Sequence, residues 1–107
     1  MTTEEQYLTY AEYKNMGGSN IDETPFNLLE FKSRRIIDIE TFGRLKGLDK
    51  QPQEVKNCMY QLIETINYDT LYKDAKVEDK ESYLHSIILS YLTGVIVNNE
   101  HVLYAGV

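Results

Sequence analysis

The chain has 107 residues with a formal net charge of −6, from 11 basic and 17 acidic residues, and it contains one cysteine, Cys58. That length fits one domain, residues 1–107, around a single modest core; the acidic balance argues against a nucleic-acid coat, and a lone cysteine excludes an internal disulfide. No apolar run reaches the ~20 residues of a membrane helix, and the polar start MTTEEQ lacks a signal or transit pattern, so the expectation is a cytosolic product with no membrane partner.

The first element lies in YLTYAEYKNMGG, Tyr7 to Gly18. Thr9 and Glu12 have the spacing of a capping box, and Leu8 and Tyr13 that of a hydrophobic staple. Gly17 suits the left-handed position that ends a helix. The predicted helix over 9–16 is shorter than the ~12–15 residues an isolated helix needs. Either the body of the fold or another chain must hold it.

The second predicted helix covers 24–45 and opens on Asp22, Glu23, Thr24 and Pro25, a dense start signal. Phe26, Leu29, Ile36 and Ile37 fall near helical spacing around the small Ser33, and no breaker occurs before Gly43. Glu30–Arg34 and Glu40–Arg44 are acid-before-base pairs one turn apart. The third helix, over 52–66, has the cleanest stripe: Val55, Cys58, Met59, Leu62, Ile63 and Ile66. Residues 67–78 lose that order and read as a loop. The fourth helix, 79–93, carries Leu84, Ile87, Ile88, Tyr91 and Leu92 and closes at Gly94. In the tail, Val95–Val97 and Val102–Tyr104 are β-rich runs around a four-residue loop, Asn98 to His101. The expected fold is all-α: a small bundle of about four helices with a short C-terminal β-hairpin or extended tail.

Little in the sequence points to chemistry. His85 and His101 stand apart, with no paired cysteine and no HExxH, so no catalytic residue, cofactor or metal is expected. Cys58 on a core stripe reads as a small hydrophobe, and Gly17-Gly18 lacks the signature of a phosphate loop. Charge is uneven: 24–50 carry six basic and four acidic residues, while 1–23 carry one lysine and five acids. The cluster KSRR at 32–35 fits a solvated helix face with local ion pairs, a contact with an acidic partner surface or, third, nucleic acid. The nine tyrosines suit the rim of a small core and a protein interface equally well.

Taken in order, YLTYAEYKNMGG, IDETPFNLLEFKSRRIID with TFGRL, VKNCMYQLIETI, SIILSYLTGV and the closing LYAGV resemble the head–tail connector (adaptor, head-completion) proteins of tailed bacteriophages and prophages of Gram-positive bacteria. The resemblance runs over nearly the whole chain and departs from the family pattern at 67–80 and at VIVNNEH. It implies a non-enzymatic virion protein, made in the host cytoplasm. Such a protein would assemble as a ring, commonly of about twelve copies, beneath the portal protein. The ring would extend the DNA channel, without sequence-specific DNA binding, and receive the next head-completion or tail protein; the isolated chain would be a monomer. The alternative reading is a small helical regulatory or interaction module, antitoxin-like or anti-repressor-like.

On the connector reading, three sets of residues are candidates for the partner interface. They are the stub tyrosines Tyr7, Tyr10 and Tyr13; the basic residues Arg34, Arg35 and Arg44; and the strand edges of the tail, Val97, Val102, Leu103 and Tyr104. Charge reversal at Arg34 and Arg35 together is expected to spare the fold and block assembly. Stub and tail are expected to be the segments whose order depends on partners, the alternative for the tail being that it folds back on its own bundle.

Overall fold

The fold is that of a computed structural model, which describes residues 6–68 and 70–103. Among these lie α1 (Tyr10–Asn15), α2 (Glu23–Glu40), α3 (Gln53–Tyr68), α4 (Thr70–Asp74) and α5 (Val77–Leu92). A hairpin of β1 (Ile96–Val97) and β2 (Glu100–His101) follows. The all-α expectation holds, with a short helix added between the third and fourth predicted ones.

The central helix is α3. Val55, Cys58, Met59, Leu62 and Ile63 are all fully buried on it, a stripe broad enough to meet two neighbours. It packs on α2 along one side and on α5 along the other. From α2 come Phe26, Ser33 and Ile37, with the carboxylate of Glu30 between them; from α5 come Leu84, Ile87, Ile88 and Leu92. Leu29 and Ile66, expected in the core, pack half-buried against it. Leu45 and Val102 join it from outside the helices.

The stub is held by its own fold. Thr9 and Glu12 form the full capping box, and Tyr7, Leu8 and Tyr13 belong to the common core. Tyr13 lies between Phe26 and Tyr60, tilted against each ring, with centroids 5.0 and 5.6 Å away. Its hydroxyl donates to Glu64 and accepts the Ser19 N–H at 3.0 Å. The Ser19 hydroxyl donates to the same carboxylate at 2.7 Å. Lys56 pairs with Glu12. The expectation that the stub waits for a partner is therefore corrected: three long-range aromatic and ionic contacts give the short helix the tertiary packing it needs.

Three boundaries differ from the sequence reading. α2 stops at Glu40, and a tight motif follows. The N–H of Gly43 donates to the Asp38 carbonyl at 2.9 Å and that of Phe42 to the Ile39 carbonyl at 3.4 Å, the pairing of a Schellman end. Phe42, with φ of 58°, occupies the left-handed position. Residues 67–78 are not a plain loop, since α3 runs on to Tyr68, α4 fills 70–74 and α5 begins at Val77. The hairpin turns on two residues, not four. Asn98 and Asn99 both take positive φ, 52° and 67°, which gives the tight turn matched to strand twist and pairs Ile96 with His101 and Val97 with Glu100.

Candidate partner interface

Viewed down its axis, α2 has two faces. Phe26, Glu30, Ser33 and Ile37 recur at helical spacing and are buried. At 100° per residue, Leu28, Phe31, Arg35 and Ile39 lie on roughly the opposite side, and Phe42 just past the helix continues their line. These apolar side chains stay in solvent: Leu28 is 56% exposed, Phe31 46%, Ile39 67% and Phe42 60%. A helix in a small domain needs one apolar stripe for its core; the second is surplus to folding.

The face is not flat. One hollow is formed by Phe31, Lys32, Arg35, Ile36 and Ile39 with Ile66 and Tyr72 beyond them. A second is formed by Arg35, Asp38, Ile39, Phe42 and Lys46. They share Arg35 and Ile39, which stand between them, so the two hollows adjoin along α2 and are together called the trough. The Arg34 guanidinium lies 5.6 Å from the centre of the Phe31 ring, and that of Arg44 lies 5.3 Å from the Phe42 ring, which keeps both exposed rings in a cationic setting.

The structure separates the candidate residues of the sequence reading. Tyr7 and Tyr13 are in the core, and Tyr10 is half-buried, its hydroxyl donating to the Ile21 carbonyl at 2.6 Å. Arg34 turns inward: its Nη2 lies 3.0 Å from the fully buried Glu30, and its Nε donates to both oxygens of that carboxylate at 3.1 and 3.2 Å. Glu30 also receives the N–H of Tyr7 at 2.9 Å and that of Leu8. Burial pushes the Glu30 pKa up, and Arg34 and the two amides act against it. Arg44 Nε pairs with Glu100 at 3.2 Å, and its Nη1 donates to the His101 carbonyl at 2.9 Å. Val102 is buried, Val97 and Leu103 are half-buried, and Tyr104 lies outside the described residues. Of the three arginines, Arg34 and Arg44 are half-buried and Arg35 is exposed.

The sequence reading passed over Leu28, Phe31, Ile39 and Phe42, because it fitted α2 to one stripe. The signal was present: the same helix carries apolar residues on two opposed faces. Elsewhere, burial lifts the Cys58 thiol to about 12, so it is an inert core group. Among the described residues, no group of three or more His, Cys, Asp or Glu side chains could hold a metal ion, and no helix is long and apolar enough to cross a membrane. The chain matches no family model, and no curated protein or solved structure matches it significantly.

Proposed function

We propose that the chain is a structural adaptor of virion assembly, a head–tail connector that sits below the portal protein and works by contact rather than catalysis. The observation that carries this reading is the outer face of α2. It presents Leu28, Phe31, Ile39 and Phe42 to solvent beside the cations Lys32, Arg35 and Lys46, although the core is already closed without it. Contiguous apolar surface framed by charge is the mark of a docking face. The resemblance across the chain to connector proteins supplies the setting: a ring bound to the portal on one side and to the next head-completion or tail protein on the other.

The test is co-expression with the portal protein of the same phage genome. Size-exclusion chromatography with light scattering follows, and then electron microscopy of assembled necks. Co-elution as a ring on the portal is the expected result. A chain that stays apart from the portal at micromolar concentration and is missing from purified necks would defeat the proposal.

A further inference from the structure

We infer that the trough on α2 is the seat of an acidic amphipathic α-helix from a different protein. The inference rests on reading this face as the adaptor's interface, and it specifies the occupant. Shape comes first. Leu28, Phe31, Arg35, Ile39 and Phe42 follow one another at steps of three and four, the rhythm into which the side-chain ridge of a second helix packs. An extended peptide would instead require open backbone donors and acceptors, and the α2 backbone is bonded within its own helix.

Charge fixes the chemistry of the occupant. Lys32, Arg35 and Lys46 line the two hollows against the single acid Asp38. No ion pair within the described residues engages Lys32, Arg35 or Lys46. A partner with carboxylates flanking its apolar ridge matches them, and a basic one is repelled. A second copy fits poorly. Pairing α2 with α2 sets Arg35 and Lys32 against like charges. The acidic start of α5 offers the exposed Val77 beside Glu78, Asp79 and Glu81, but its next exposed large apolar residue is Leu89, too far along the helix to form a matching ridge.

Phe42 adds an independent mark. It occupies the left-handed site with φ of 58°, where glycine is the unstrained choice and a bulky residue is an outlier. Its ring is 60% exposed, so burial in the chain's own core does not account for it. Strain of this kind collects where a side chain must be presented to a partner.

The probe is a labelled helical peptide about five turns long, with leucines at alternating steps of three and four and glutamates flanking them. Its control carries lysine in place of glutamate. Fluorescence anisotropy should show saturable binding of the glutamate peptide that weakens with salt, and much weaker binding of the lysine peptide. Arg35→Glu and Ile39→Asp, both at exposed positions, should each weaken binding roughly tenfold or more with unchanged circular dichroism. Phe42→Gly should raise the urea midpoint while weakening binding, a split that a merely structural role would not produce. No saturable binding, or equal binding of both peptides, would overturn the inference. So would self-association through this face that excludes the peptide. Glutamate-peptide binding at parental strength in Ile39→Asp would overturn this seat while leaving the adaptor reading intact; absence of portal co-elution in the parent chain would overturn the adaptor reading itself.

Discussion

Gly17 and Gly18 stand side by side for different reasons. Gly17 has φ of 92° with open space around it, so its role is conformational. A Cβ on Gly18 would sit 2.5 Å from the Tyr13 ring, so its role is steric: the absent side chain is what lets the ring lie against the backbone. Gly18→Ala should therefore cost about 1–3 kcal/mol through overpacking, seen as a lower urea midpoint; Tyr13→Leu, a smaller side chain, should partly rescue it. An unchanged midpoint in Gly18→Ala would remove this account of the turn. The tyrosines at either end of the stub also make stability depend on pH. Burial, then the hydrogen bond to Asp38 at 2.5 Å, raises the Tyr7 pKa well above its ordinary value of 10.0. Burial and Glu64 do the same for Tyr13. Because the folded values are raised, the stabilisation is complete below the unfolded value and is lost as pH climbs past it toward the folded values. Urea midpoints should therefore fall above about pH 10, and the fall should be shallower in Tyr7→Phe and Tyr13→Phe.

Within α2, adjacent arginines have opposite roles. Arg34 neutralises a carboxylate with no solvent exposure, whereas Arg35 lines the outer trough. The expectation that reversing both would spare the fold is corrected for Arg34, because a second carboxylate beside Glu30 would leave buried charge unpaired. Removing one partner of such a pair costs about 3–5 kcal/mol. Arg34→Ala should show a loss of that order in denaturant melts, and Arg35→Ala should stay within about 0.5 kcal/mol of the parent. Equal effects would mean that the two side chains do not face different surroundings. On α3, Leu62→Ala should cost about 2–5 kcal/mol, from lost transfer energy and the cavity left behind.

The same helices show how far the sequence could be read. The α3 stripe was legible because Val55, Cys58, Met59, Leu62 and Ile63 obey one period, and all five are buried. The end of α2 was not, because the stop is built from Thr41, whose hydroxyl bonds the Ile37 carbonyl at 2.8 Å, and from a left-handed Phe42 that propensity forbids. The trough was hidden for a related reason. A polar arginine sits in the middle of its apolar line, and assigning Arg34 and Arg35 to one surface obscured the fact that neighbouring residues on a helix point about 100° apart.

At the scale of the whole molecule, the stub and the hairpin both pack against the body, with Tyr7, Leu8 and Tyr13 from the one and Val95 and Val102 from the other in the common core. The radius of gyration is 13.7 Å, close to the ~13 Å of a compact chain this long. A two-stranded hairpin alone is marginal, and this one is secured from two sides. The Val102 N–H donates to the Val95 carbonyl at 3.0 Å, and both side chains are buried in the common core. Arg44, from the loop after α2, reaches across to Glu100 and to the His101 carbonyl. Through Leu103 the tail is packed on its own bundle, the alternative reading of this segment. Hydrogen exchange on the isolated protein should show slow exchange at the Val102 amide and at Tyr13 and Gly18, whose N–H groups donate to the Thr9 and Tyr13 carbonyls at 2.9 and 3.0 Å. Arg44→Ala should speed exchange at Val102 without changing it at Tyr13, since the clamp is local to the hairpin. Fast exchange at Val102 in the parent chain would mean that the hairpin does not close without a neighbour, and the docking trough on α2 would then share the task of assembly with the tail.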